Sequence, residues 1–172
     1  MAVIKHSIDN TVSFSRRKLA SQSFQSLYDE GMTLVEETAT YLDGIGREEA
    51  KCLRRAATSL YAAESMRLTT RLMQISSWLL LHRAQNTGEV SDGQVEDERS
   101  KIRLDTVSAD RSTVGWDELP QPFLKLIARS LRLQHRVTCL DAELYSDEYG
   151  DEETDANPVN AQIALLRTAF GG

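Results

Sequence analysis

The chain has 172 residues, of which 41% are hydrophobic and 27% charged, and its net charge is −6. This length allows one ordinary domain with tails, whose core needs no disulfide or metal to hold it. The acidity is local, because residues 141–155 carry eight acidic side chains and no Lys or Arg, whereas residues 1–140 carry 19 basic and 18 acidic ones. A nearly neutral body without a clustered basic footprint excludes a typical nucleic-acid-binding protein. The chain has no run of about eighteen apolar residues and no signal-peptide core, so we expect no membrane span and a cytoplasmic protein.

The first element follows a polar leader. Residues 1–20 mix polar residues with isolated apolar ones, and we expect this leader to be flexible. From residue 21 apolar side chains recur at steps of three and four, which predicts an amphipathic helix with Ser23 as a possible cap. Gly44 and Gly46 are predicted to end that helix, and the short link after them predicts an antiparallel pair with the next helix.

Residues 47–84 contain no Gly or Pro and are predicted to form one long central helix of about 55 Å. Two adjoining apolar lines follow its helical spacing, and the second, which includes Met66 and Met73, is rich in small residues. Each line is predicted to contact a different neighbour, as in the central member of a bundle.

A third line on this helix combines polar and large side chains: Leu60, Glu64, Arg67, Arg71 and Trp78. One interpretation is a solvated strip with an ion pair three residues apart, which contributes under about 1 kcal/mol. The other is a partner-binding surface, in which Arg and Trp are good anchors. Both interpretations stay open at this stage.

The second half of the chain predicts a short helix and a third long one. Ser91 and Gln94 fit a capping box before a helix over residues 92–104, and a loop follows over residues 105–115. The third long helix is predicted to start within residues 116–120 and to carry a regular apolar seam up to residue 144. The side chains that we assign to a bundle or dimer seam are Met66, Met73, Leu126, Leu133, Val137 and Leu140.

Residues 146–172 are predicted to form a disordered acidic tail that ends in a short apolar segment. Ile163, Leu166 and Phe170 share one side of that segment. It either binds another protein, as a peptide motif on a flexible leash does, or folds back on the bundle or frays. The fold prediction for the whole chain is therefore all-α: an antiparallel three-helix bundle over residues 21–145, with a long central helix, a short extra helix and flexible termini.

The sequence contains no signal for catalysis or for a cofactor. The three histidines lie far apart, and Cys52 and Cys139 match no zinc or redox motif, so we expect two buried reduced thiols and no metal site. There is no Gly-rich phosphate loop and no nucleophile elbow. A small helical enzyme would need a polar pocket, which only Glu64 and Arg67 could seed.

Four strings resemble the RcdA family of alphaproteobacteria, the regulators of CtrA degradation. They are YDEGMTLVEETA at residues 28–39, ESMRLTTRLMQ at 64–74, SWLLL at 77–81 and GWDELP at 115–120. The resemblance covers residues 24–143. It implies a three-helix bundle that dimerises, has no catalytic site, and acts as an adaptor for an AAA+ protease of the ClpXP type. The implied partners are the protease with its priming receiver-domain protein, and response-regulator cargo.

The functional prediction is therefore an adaptor that tethers cell-cycle regulators to the protease for regulated degradation. In this hypothesis the bundle binds cargo or a second copy, and the apolar end of the tail engages the primed protease. The alternative is a structural dimerising helical scaffold for signalling proteins unrelated to proteolysis.

Overall fold

The computed structural model describes residues 21–145, so the predictions for the leader and for the tail lie outside the described residues. The chain divides into two units, residues 1–139 and 140–172. Of the second unit the structure describes only residues 140–145, which are the last residues of a helix. Within residues 21–145 every regular element is helical, which confirms the all-α class.

Helix α1 spans Gln22–Asp43, and the hydroxyl of Ser21 caps it by accepting a hydrogen bond from the Phe24 amide over 3.3 Å. The cap predicted at Ser23 is wrong, because Ser21 has the extended backbone of a cap whereas Ser23 already lies inside the helix. The buried face of α1 follows the predicted spacing and consists of Phe24, Leu27, Gly31, Leu34 and Thr38.

The helix predicted over residues 47–84 is divided into α2, Ile45–Lys51, and α3, Arg55–Thr87. One unbroken helix is therefore wrong, and Gly46 lies inside α2 where it was predicted to end a helix. The bend packs Gly46 against two aromatic residues, since an added Cβ would lie 2.5 Å from Tyr41 Cε1 and 2.7 Å from Tyr61 Oη. A straight helix would carry Gly46 away from this contact, so packing at the end of the bundle decides where the chain bends.

Helices α1 and α3 run antiparallel, as the short link between them predicts. The ring of Phe24 lies 6.4 Å from that of Trp78, and the Arg83 guanidinium stacks 4.5 Å from the Tyr28 ring, so the start of α1 meets the later part of α3.

Helix α4, Asp92–Arg99, has the predicted capping box at its start, although it ends at Arg99 and not at residue 104. A 3-10 turn at Trp116–Glu118 precedes α5, Gln121–Tyr145, so the third long helix begins just after the predicted start.

Helix α5 is antiparallel to α1 but parallel to α3. Arg129 pairs with Glu37 and Arg136 with Glu30, in opposite order along the two helices. Against α3, the ring centre of Phe123 lies 4.4 Å from that of Tyr61. Further along both helices Ser130 lies opposite Arg71, so the contacts follow the same order in α3 and α5. The bundle is thus antiparallel in two of its three helix pairs. Helix α5 is parallel to α3 because residues 103–115 run back along α3 before α5 begins.

The three long helices meet at Gly31, where an added Cβ would lie 2.5 Å from Leu79 Cδ1 and 3.8 Å from Leu133 Cδ2. The side chains that meet Gly31 are apolar, and burying one such Leu contributes about 1.5–3 kcal/mol. Along the whole bundle, the buried apolar residues of α3 and α5 include Leu68, Leu72, Ile75, Leu79, Phe123, Leu126, Leu133 and Val137.

Candidate functional site

The polar line of α3 lies inside the protein and not on its surface. Glu64 is 0% exposed and Arg71 is 1% exposed, while Leu60 and Trp78 are also buried. Only Arg67 remains accessible, with 43% of its side chain exposed. The expected solvated strip is therefore wrong, and so is an exposed docking surface on this line, because another segment of the chain covers it.

Glu64 is a buried carboxylate with two partners on one oxygen. Its Oε1 accepts hydrogen bonds from Arg67 Nη1 at 2.6 Å and from the backbone amide of Ala109 at 2.8 Å. The predicted ion pair between Glu64 and Arg67 is thus present. The other oxygen, Oε2, is buried and has no hydrogen-bond partner among the described residues.

Arg71 is a buried guanidinium that joins three parts of the chain. Its Nε donates to the Thr106 carbonyl at 3.2 Å, its Nη2 to the Ser108 hydroxyl at 2.9 Å, and its Nη1 to the Ser130 hydroxyl of α5 at 2.8 Å. Burial lowers the pKa of Arg71, and the charge of Glu64 partly offsets this effect. The fork geometry of a guanidinium suits it to hold several oxygen acceptors at once.

The covering segment is residues 103–115, which we call the strap. It has no helix or strand, and it lies along α3 in the opposite direction. The Arg103 amide donates to Gln74 Oε1 at 2.9 Å near one end. At the other end Gly115 touches α3, since an added Cβ would lie 2.9 Å from the Ala57 backbone. Between these ends Arg71 and Glu64 hold the strap, so the side chains predicted to bind a partner bind an extended segment of the same chain.

The second apolar line of α3, which was predicted to contact another helix, is exposed in the described structure. Met66 is 72% exposed, Met73 58% and Leu80 49%. These side chains belong to a 4-3 repeat that we call the outer seam: Ser59, Ala63, Met66, Thr70, Met73, Ser77 and Leu80. The outer seam carries no charged residue over about 32 Å.

The remaining seam residues occupy two environments. Leu126, Leu133 and Val137 are buried and form part of the bundle core. Leu140 is the first residue of the second unit and is half-buried. Of the six side chains predicted for a bundle or dimer seam, Met66 and Met73 are therefore the two that lie on the outer surface and not in the bundle core. The tail residues Ile163, Leu166 and Phe170 lie outside the described residues.

Both cysteines, Cys52 and Cys139, are exposed free thiols, so the prediction of two buried thiols is wrong. Within residues 21–145 no group of three or more His, Cys, Asp or Glu side chains could hold a metal ion. No helix in the same range is long and apolar enough to cross a membrane. One surface groove of about 610 Å³ is lined by α1 residues near Thr40 and by Ile45, and another of about 410 Å³ lies beside the strap and the outer seam, where Gln74, Ser77 and Ile102 line it.

Sequence reasoning missed the partners of the buried charges. Ser108, Ala109 and Ser130 carry no motif, and Ala109 binds Glu64 across 45 positions in the chain. A buried Glu and Arg between apolar neighbours is itself a signal that a partner exists, but helical spacing cannot tell a segment of the same chain from another protein.

Comparison with known proteins gives two findings. The family model described as "Protein of unknown function (DUF1465)" matches residues 15–170 of the chain. Among solved structures, the chain is similar to RcdA from Caulobacter crescentus, with 44% sequence identity and a TM-score of 0.61; the match covers 74% of this chain and 96% of that chain. No curated protein matches the chain. A family match over most of its length, together with this identity to RcdA, shows that the chain belongs to the RcdA family.

Proposed function

We propose that this chain is a non-catalytic adaptor that tethers cell-cycle regulators to a ClpXP-type AAA+ protease in the cytoplasm. The cargo would be response regulators of the CtrA kind, and the protease would act together with its priming receiver-domain protein. The observation that carries the proposal is the 44% identity to RcdA over 96% of that chain. The uncharged outer seam supports it, because exposed large apolar side chains such as Met66, Met73 and Leu80 on one helix face are typical of protein-binding sites.

An adaptor of this kind works through effective concentration. Once the adaptor holds both the cargo and the protease, their encounter becomes intramolecular, and a short flexible connection gives an effective concentration of order millimolar. We assign cargo binding to the bundle and protease engagement to Ile163, Leu166 and Phe170 at the end of the tail.

The test is reconstitution of cargo degradation with purified protease, priming protein and CtrA-type cargo. The full chain should accelerate degradation, and a chain that lacks residues 156–172 should lose this acceleration while it still captures cargo. If the truncated chain engages the protease but no longer captures cargo, the two assignments are reversed. If the full chain accelerates degradation of no response regulator, the adaptor proposal fails.

We further propose that two copies associate through their outer seams. The seam has nearly the same order of large and small side chains in both directions, with Met66 and Met73 on either side of Thr70 and the small Ala63 and Ser77 beyond them. In an antiparallel pair about a twofold axis at Thr70, the two methionines would face each other, and so would the two small residues. No ionised group of the seam would lose its water.

The size of the seam predicts a weak dimer. A face of about 32 Å by 10–12 Å presents roughly 350 Å² in projection, which is in the range of the largest apolar patches on monomers. Two such faces total roughly 700 Å², which is less than the roughly 1,200 Å² at which stable specific interfaces begin, so association should be weak and should depend on concentration in the micromolar range.

Sedimentation of three variants tests this dimer. Met73→Asp should give a folded monomer, because the charge enters only the contact between copies. Thr138→Asp adds the same charge at an exposed site of α5 and should behave like wild type. Leu133→Asp places a charge in the core and should cost several kcal/mol of folding free energy. A Met73→Asp variant that dimerises as wild type does, or a wild type that is monomeric at all concentrations, rejects the proposal.

The outer seam also fits a second function, a structural scaffold for signalling proteins unrelated to proteolysis, since such a surface needs no protease. A pulldown with a protease-dead trap separates the two functions. The adaptor should recover the unfoldase and cargo together, whereas the scaffold should recover signalling proteins without the unfoldase.

A further inference from the structure

We propose that the α3 groove that holds the strap is a peptide-recognition site, and that an extended segment of a partner protein can occupy it in place of the strap. This inference goes beyond the adaptor function and holds whether or not the chain serves a protease. The described hydrogen bonds between the strap and α3 all involve α3 side chains, and none belongs to a backbone ladder.

The contacts to the strap are those of a receptor for an extended peptide. Arg71 binds a backbone carbonyl and a hydroxyl two residues apart, at Thr106 and Ser108. Glu64 binds a backbone amide one residue later, at Ala109. Two of these three contacts go to groups that every peptide carries, so the site can accept another extended sequence that places a Ser or Thr hydroxyl at Arg71.

The strap does not satisfy the site completely. Glu64 Oε2 is buried and accepts no hydrogen bond from the described residues, although an ionised carboxylate can accept several. An unfilled acceptor in a buried position favours a ligand that brings one more donor. The site therefore has capacity for a better occupant than the strap.

The strap itself is suited to exchange. Its outward side chains include the exposed apolar Val107 and Val114, which do not anchor it in the core. Displacing the strap would leave α1, α3 and α5 in contact, because the aromatic and ion-pair contacts among those helices involve no strap residue. In the full chain the strap competes with any peptide from outside, so the apparent affinity for a partner depends on the fraction of molecules whose strap is open.

The test uses the full-length chain with one bond removed. Ala109→Pro deletes the amide that donates to Glu64, and Val107→Pro is the matched control, since the structure shows no hydrogen bond for that exposed residue. The probe is a labelled synthetic peptide with the sequence of residues 102–112. Losing one charged hydrogen bond should raise the open fraction about tenfold, so the peptide should bind Ala109→Pro about tenfold more tightly than wild type or Val107→Pro.

Hydrogen exchange of the Arg103 amide, which donates to Gln74, shows whether the substitution opened the strap. Faster exchange at Arg103 in Ala109→Pro, without binding of the peptide, overturns the proposal. Unchanged exchange overturns it as well, because Glu64 would then not hold the strap.

Two further outcomes would also overturn the proposal. The peptide could bind equally well after an added Arg71→Lys substitution, which would place its site elsewhere. Ala109→Pro could instead form a dimer that the peptide cannot dissociate, which would make the strap of a second copy the true occupant. Peptide binding that needs both Ala109→Pro and Arg71 supports the proposal.

Discussion

Replacing Arg71 with Met should destabilise the fold because Arg71 connects α3, α5 and the strap. The substitution keeps an unbranched side chain of similar length and removes three donated hydrogen bonds of 2.8 to 3.2 Å. Hydrogen bonds to charged groups contribute about 1.5–3 kcal/mol each, which sets a gross loss of about 5–9 kcal/mol. Part of this is recovered, because an apolar side chain does not carry the desolvation cost that lowers the pKa of Arg71. We expect a net loss of about 2–4 kcal/mol.

Urea denaturation measures this loss as a lower midpoint with an unchanged slope, and a thermal scan should show a decrease in Tm of about 10 °C. Arg55→Met is the matched control, since Arg55 is an exposed residue at the start of α3, and it should leave the midpoint unchanged. The double variant Arg71→Met/Glu64→Gln should lose less folding free energy than the sum of the two single variants. Glu64→Gln alone leaves the buried charge of Arg71 without the carboxylate that compensates it, and the double variant has no such charge. An Arg71→Met variant as stable as wild type would refute the reasoning that buried bonds to the strap contribute to folding.

Three smaller predictions follow from other contacts. Gly88→Ala should lower the free energy of unfolding by roughly 1–2 kcal/mol in chemical denaturation, because Gly88 has a positive φ. Gly115→Ala should lower it by about twice as much, because Gly115 also has a positive φ and its added Cβ would press against Ala57. Equal losses for the two variants would exclude that clash. Burial and a hydrogen bond from its phenol to Glu49 raise the pKa of Tyr41. The contribution of Tyr41 to stability is therefore present below pH about 10 and is lost at higher pH. In a series of unfolding measurements at increasing pH, Tyr41→Phe should lose less stability at alkaline pH than wild type. Ser91→Ala should cost about 1 kcal/mol and increase hydrogen exchange in α4, and unchanged exchange would show that the capping box contributes little.

Helical periodicity predicts the parts of the fold in which local pattern and burial agree. The stripe of α1 and the core seam of α5 have regular apolar spacing, and most of their predicted residues are buried, although Leu140 is half-buried. The bend after Lys51 has no Gly or Pro to mark it, and it depends on the packing of Gly46 against rings from two helices. Packing between distant residues decides such a bend, so local signals cannot predict it.

The candidate site shows the same limit more clearly. Spacing places Glu64 and Arg71 on one line of α3, and their chemistry requires partners once they are buried. The strap supplies those partners from 35 to 45 residues further along the chain. The outer seam has the opposite outcome, because Met66 and Met73 look like core residues by pattern but lie on the surface. Which line of a helix is covered is decided by long-range topology and not by the pattern itself.

The two free, exposed thiols provide natural attachment sites for measuring a distance within the protein. Cys52 lies just before α3, while Cys139 lies on α5 nine positions after Ser130, which is level with Arg71. At 1.5 Å per helical residue the two sulfur atoms are separated by roughly 40 Å along the bundle axis. Donor and acceptor dyes attached to these thiols would therefore report by energy transfer whether the helices slide or separate when another macromolecule binds, without any engineered residue.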